Sequence, residues 1–221
     1  MFLAKRDRPI LLNLGAGPRG LIDGHWVNVD GFHAPNIHFL VDLQRGLPFP
    51  DGSFDGVFSE HVLEHFTKQD GLLLAIEVAR VLRPGGVFRV VVPDGEFVLR
   101  SYVDDPEELV RYRGSSGPDI SVSMRMGGTA MDMVNSFFRQ RYEHQFIYDW
   151  LTMKRLLEHA GFQDVLRCAF RQSGATLGLE IDDVKYERES LYVEARKPPL
   201  AAALTDAWAA DHQAMLERVR G

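Results

Sequence analysis

The chain has 221 residues, 45% apolar and 25% charged, with 25 Lys and Arg against 31 Asp and Glu for a net charge of −6. This length and composition suit one sizeable globular core and exclude a disordered or fibrous chain, while the acidic balance argues against a nucleic-acid partner held by phosphate contacts. Cys168 is the sole cysteine, which rules out an intrachain disulfide and a cysteine-rich zinc site.

Residues 9–14 (PILLNL) form an apolar run too short for a helix and long enough for a buried strand ending at Gly15. Residues 26–30 (WVNVD) and 38–42 (HFLVD) read as second and third strands, each ending in an acid. After the turn signal Pro50-Asp51-Gly52, residues 54–59 (FDGVFS) read as a fourth. Residues 68–82 place Leu72, Leu73, Ile76, Val78, Ala79 and Leu82 roughly at the spacing of one helical face, and Arg83-Pro84-Gly85-Gly86 stops that helix. Residues 87–92 (VFRVVV) follow as a fifth, β-branched strand. Strands joined by crossovers imply a parallel sheet of the α/β class.

The second half is less regular. Residues 106–149 follow no single apolar period, and their Met, Phe and Arg residues suit a cover over a pocket. Residues 150–160 predict a helix closed by Gly161, residues 163–170 and 190–196 two final strands, and residues 200–220 an alanine-rich helix that could be an appendage or a homodimer contact. No transmembrane run and no signal-peptide core occur in the sequence, so a cytoplasmic protein without membrane association is expected.

Gly15-x-Gly17-x-x-Gly20 follows the first strand, where glycines permit a sharp turn and close approach of a ligand to backbone N–H groups. A dinucleotide fold would place a full helix between this loop and the ribose-binding acid. Here Asp30 closes the second strand only ten residues past Gly20, which disfavours a nicotinamide oxidoreductase. Asp30 could hold two ribose hydroxyls and Asp42 an exocyclic amine, so loop and acids together indicate a nucleoside-like ligand.

These residues resemble the class I S-adenosylmethionine-dependent methyltransferases. The matching segments are residues 12–17 (LNLGAG), 27–30 (VNVD), 41–43 (VDL), 47–57 (LPFPDGSFDGV), 77–93 (EVARVLRPGGVFRVVVP) and, more loosely, 153–165 (MKRLLEHAGFQDV). The W-x-N-x-D strand and the S-x-H-V-L-E-H segment are most similar to a branch of small methyltransferases. The resemblance implies a Rossmann-like, mostly parallel seven-stranded sheet flanked by helices, with a shortened link between strands one and two. It implies a single domain over residues 1–196, with residues 105–148 as an inserted substrate cover and residues 197–221 as a helical appendage. The cofactor would be S-adenosylmethionine. Gly15, Ala16 and Gly17 would pass under its methionine portion, Asp30 would bind the ribose, Asp42 and Leu43 would frame the adenine, and Ser59 and Glu60 would lie near the methionine amino group and sulfonium.

His61-x-x-Glu64-His65 also matches an inverted zinc-protease signature, in which two histidines four apart on a helix share a metal. The usual long helix and downstream acidic ligand are not evident, so no metal is expected, and a zinc hydrolase stands as an alternative beside a non-catalytic cofactor-binding subunit. His61 and His144 are the candidate general bases, and Arg125 and Tyr148 the candidate acceptor contacts. The expected reaction is methyl transfer to oxygen or nitrogen of a small-molecule, saccharide or natural-product acceptor.

Overall fold

The computed structural model describes residues 8–19, 24–113, 125–126 and 128–199. Seven strands form one sheet: β1 (Leu11–Leu14), β2 (Trp26–Asp30), β3 (Phe39–Leu40), β4 (Phe54–Glu60), β5 (Leu82–Pro93), β6 (Gln163–Cys168) and β7 (Ser190–Arg196). Their order is β3-β2-β1-β4-β5-β7-β6, and only β7 runs antiparallel to its neighbours. This is the expected mostly parallel sheet, with β4 at its middle and the strand order reversing between β1 and β4. Among the described residues, only a 3-10 turn at Gly17–Arg19 occupies the short link from β1 to β2.

Two boundaries differ most from the sequence reading, beside the first strand, which starts at Leu11, and the sixth, which ends at Cys168. β3 is two exposed residues rather than five, because it pairs with β2 on one side only. β5 begins at Leu82, directly after helix α1 (Lys68–Val81), and its pairing with β4 skips from Leu82 to Val87. The Arg83–Gly86 turn therefore bulges from the ladder, with Gly85 at φ +79°, a conformation that costs glycine least.

Alternate side chains leave the sheet on opposite faces. Leu12, Leu14, Val57, Phe88, Val90 and Val92 pack with α1 and with α5 (Trp150–His159) in the larger core. Leu11, Phe58, Val87 and Val91 pack on the other face against Leu179 and Tyr192. Helices α2 (Gly95–Asp104), α3 (Pro106–Arg113) and α4 (Ala130–Arg139) form a third cluster around Val98, Leu109, Met133 and Phe137. They replace much of the irregular stretch expected over residues 106–149. α4 carries a capping box between Thr129 and Asp132, a start signal the sequence reading passed over. The predicted C-terminal helix lies outside the described residues.

Arg89 lies on the Leu11 face and is fully buried. Its guanidinium donates to both Asp182 carboxylate oxygens at 2.8 and 2.5 Å, to Glu194 Oε1 at 3.0 Å, and to the carbonyls of Gln172 and Ala169. Those five bonds satisfy all five N–H groups and fasten residues 169–182 onto the sheet. Replacing Arg89 with methionine strands two buried carboxylates, so Arg89→Met should lower unfolding free energy by about 3–5 kcal/mol in urea titrations.

Candidate active site

The carboxyl ends of β1 and β4 open into a cavity of about 530 Å³. The glycine loop forms one wall, Glu60 and His61 a second, and Ile181, Asp183, Lys185 and Tyr186 a third. Open α/β sheets bind ligands at this reversal of strand order.

Gly15 and Gly17 adopt φ +61° and +56°, and a Cβ on Gly15 would sit 2.3 Å from Val62 Cγ2. The loop therefore needs glycine for its backbone and, at Gly15, for clearance. Asp30 Oδ2 accepts from the Gly17 N–H at 2.8 Å and Oδ1 from the Phe32 N–H at 2.9 Å. A carboxylate offers about four acceptor positions, so two remain for hydroxyl donors. Asp42 caps a 3-10 turn through the Gln44 N–H and pairs with Arg45 at 3.2 Å, while Leu43 packs against the larger core. Ser59 is buried, and its hydroxyl has no hydrogen-bond partner among the described residues.

Glu60 lines the cavity and accepts from the Asp183 N–H at 2.9 Å. Burial raises its carboxyl above the ordinary value, with the Asp183 bond opposing. A half-buried carboxylate beside a polar wall fits the ammonium end of an amino-acid moiety, and the left-handed loop with Asp30 fits a ribose. The residues present therefore suit S-adenosylmethionine.

His61 follows β4 at φ +53°, a left-handed conformation that histidine adopts only when neighbours hold it. Its ring stacks on Tyr186 at 3.8 Å between centroids, Nε2 lies 2.9 Å from Ser190 Oγ, and Nδ1 lies 3.2 Å from Glu64 Oε1. Residues 63–65 form a single 3-10 turn, so the zinc-protease motif does not present its histidines from one helical face.

The other three candidates depart from expectation. The His144 side chain is only 4% exposed, lies outside the cavity wall, and hydrogen-bonds to the Phe137 carbonyl at 2.8 Å; burial lowers its pKa. Tyr148 is fully buried with its hydroxyl beside Gly71, where a Cβ would lie 2.7 Å away, so it packs the core rather than touching an acceptor. Its backbone bridges to Asp94, which draws the segment inward. Arg125 is exposed and sits outside the cavity wall. The residues that sequence reasoning missed are Asn13 and the wall at 181–186. The only local signal for that wall is the helix-start pattern Asp183-x-Lys185, realised as a 3-10 turn.

Residues 27–98 match the profile of a family described as "Methyltransferase domain". The matched segment, about a third of the chain, is thus similar to S-adenosylmethionine-dependent methyltransferases. Over 77 residues the chain is 38% identical to the ubiquinone/menaquinone biosynthesis C-methyltransferase UbiE of Hahella chejuensis, covering 34% of this chain and 30% of that protein. Over 79 residues it is 35% identical to the O-methyltransferase rstn1 of Aspergillus nomiae, covering 36% and 32%. The match thus spans about a third of these relatives' length. A solved structure of 1,6-didemethyltoxoflavin-N1-methyltransferase from Burkholderia thailandensis, with S-adenosylhomocysteine bound, shares the fold at TM-score 0.50 and 16% identity, covering 86% of this chain and 72% of that one. Among the described residues, no helix is long and apolar enough to cross a membrane.

Glu60 generates a signed prediction. A carboxyl whose pKa in the fold lies above its ordinary value of 4.5 favours folding while protonated; that contribution is complete below about 4.5 and is lost as pH rises through the folded pKa. Glu60→Gln should therefore melt higher than the wild type at pH 7, with the difference closing at acidic pH, while its affinity for S-adenosylmethionine falls. Differential scanning fluorimetry across pH and calorimetry with the cofactor check both halves.

Proposed function

We propose that this protein is a cytoplasmic enzyme that transfers the methyl group of S-adenosylmethionine to an oxygen or nitrogen of a small acceptor, with saccharides and natural products as the favoured class. The observation that carries the reading is the one cavity that the left-handed glycine loop, Glu60 and His61 line together. The O-methyltransferase and C-methyltransferase relatives support methyl transfer in general, and the N-methyltransferase structure adds a nitrogen acceptor on the same fold. The reading takes residues 1–196 as one domain, with residues 105–148, which include α3 and α4, as the acceptor cover.

When bound, the cofactor supplies a methyl carbon on a sulfonium, open to displacement by a lone pair. The chain's part is to align and to manage one proton. Gly15, Ala16 and Gly17 keep the loop low under the methionine, Asp30 fixes the ribose through its remaining acceptor positions, and Asp42 with Leu43 frames the base. Ser59 and Glu60 hold the amino-acid end. Alignment of this kind contributes about 7–11 kcal/mol in favourable cases.

His61 is the general base of this reading. The tautomer with Nδ1–H toward Glu64 leaves a lone pair at Nε2, the atom now facing the Ser190 hydroxyl. Stacking on Tyr186 restrains the ring. His144 reaches the cavity only through Glu64 and is a positioning residue here. Arg125 keeps a place only as an exposed acceptor contact on the cover side.

Calorimetry with S-adenosylmethionine, S-adenosylhomocysteine and NAD tests the cofactor. Both sulfur nucleosides should bind, and Asp30→Ala should weaken them about 10- to 100-fold, the equivalent of lost charge-assisted hydrogen bonds. Binding of NAD alone would overturn the reading. His61→Ala should retain cofactor affinity and turn over a hydroxyl acceptor about 10²–10⁴-fold more slowly; undiminished turnover would remove His61 from the mechanism.

A further inference from the structure

Behind His61 lies a cluster that methyl transfer uses only to orient that ring. Glu64 is fully buried, and neither carboxylate oxygen has an aligned hydrogen bond; His144 Nε2 is buried and equally unpartnered among the described residues. His144 Nδ1 bonds to the Phe137 carbonyl at 2.8 Å and His65 Nδ1 to the Glu143 carbonyl at 3.2 Å. A carbonyl only accepts, so each Nδ1 carries its proton and each neutral ring presents a lone pair at Nε2. Both Nε2 atoms lie 4.0 Å from Glu64 Oε1, and the three ligand atoms fall within 4.8 Å of one another.

Three lone pairs thus converge with no donor among these three groups; the nearest donor outside the set, His61 Nδ1 at 3.2 Å from Glu64 Oε1, faces the carboxylate alone and leaves both imidazole lone pairs unmatched, a costly arrangement at the buried His144 unless a cation occupies the centre. A proton on either Nε2 pairs that ring with the carboxylate and leaves the other lone pair unanswered. A metal ion answers all three. We propose that Glu64, His65 and His144 bind one divalent transition-metal cation, with zinc the best match to a two-histidine, one-carboxylate donor set.

The surroundings have the form such sites need. Both histidines donate their remote N–H to backbone carbonyls, which fixes tautomer and ring direction. The His65 side chain is 34% exposed and provides an entry path and an open coordination position, whereas His144 and Glu64 are closed off. Ligand atoms about 2.1 Å from tetrahedral zinc lie about 3.4 Å apart, so each 4.0 Å edge closes by about half an ångström on binding. This set differs from the linear His61-x-x-Glu64-His65 motif, because His144 arrives from a distant segment and His61 is the residue left out. The cation would join the turn after β4 to the segment leaving α4. His61 Nδ1, 3.2 Å from the same carboxylate, then senses the site through Glu64.

The proposal goes beyond methyl transfer and is read without cofactor or acceptor. The full-length chain, stripped of metal with a chelator, is titrated with Zn²⁺ and with Co²⁺, and S-adenosylhomocysteine binding is measured on the same sample as a separate readout of the cofactor site. One equivalent should bind, with visible cobalt bands of four- or five-coordinate geometry. His65→Ala and His144→Ala should each weaken zinc at least about 100-fold, beyond the range of changes outside the ligand set, and the exposed His33→Ala should bind as the wild type. His144→Cys supplies a thiolate in place of the imidazole and should recover cobalt binding with a sulfur-to-metal charge-transfer band, a signal that a packing role would not produce. Absence of stoichiometric uptake, or uptake indifferent to the His65 and His144 substitutions, would overturn the site. If His144→Ala does not fold, His65→Ala and His144→Cys decide the matter.

Discussion

A buried arginine holds the cavity together from below. Arg89 stands on a central strand with every N–H engaged, and its partners lie in two parts of the chain: Asp182 with the carbonyls of Ala169 and Gln172 in the long connection from β6 to β7, and Glu194 on β7. Such a charge set is expensive to bury and does not pack better than hydrocarbon. What it provides is direction. A bidentate guanidinium allows one orientation of Asp182, and the next residue, Asp183, is thereby delivered to Glu60 at the cavity wall. Tyr186 follows within a single 3-10 turn and lands on the face of His61. The cavity wall with no regular secondary structure of its own beyond that turn is thus located by electrostatics.

The opposite side of His61 is governed by a different physics. Val62 fills the space that a side chain on Gly15 would need, so the loop under the cofactor and the turn after β4 have to be made together. The left-handed backbone at His61 turns the chain away from the sheet at once, which sends Leu63 and Glu64 into the core and leaves the imidazole at the rim. Glu64 is the price of that turn: its carbonyl accepts from the Gln145 and Phe146 N–H groups, and its carboxylate is left among histidines.

Much of this was legible in the sequence where spacing is local. The loop glycines, Asp30, the FDGV strand and the RPGG turn each state their geometry within a few residues, and the structure places them on one sheet as expected. Two kinds of feature were not legible. The α2–α4 helices carry narrow apolar stripes, two buried residues in α4, and Gly127 and Gly128 just before Thr129 hide its capping signal. Residues whose partners are distant in sequence were also misjudged. Tyr148 and His144 sit in a polar stretch that reads as surface loop, yet a backbone bridge to Asp94 and two hydrogen bonds to the Glu64 carbonyl pull that stretch inside. The wall at 181–186 is invisible for the same reason, since its position depends on Arg89.

The antiparallel insertion of β7 between β5 and β6 has a consequence for how the chain acquires its form. β7 pairs with β5 along its whole length, and the Arg89–Glu194 contact closes a separation of 105 residues. Contacts that distant repay their loop entropy late, so the five strands from β1 to β5 can gather on shorter-range pairings while Arg89 still faces water. Only the arrival of β7 buries the guanidinium and brings the 181–186 wall against His61. Ligand competence in this fold is therefore the last thing the chain acquires on folding and, by the same ordering, the first it gives up when the β5–β7 seam opens.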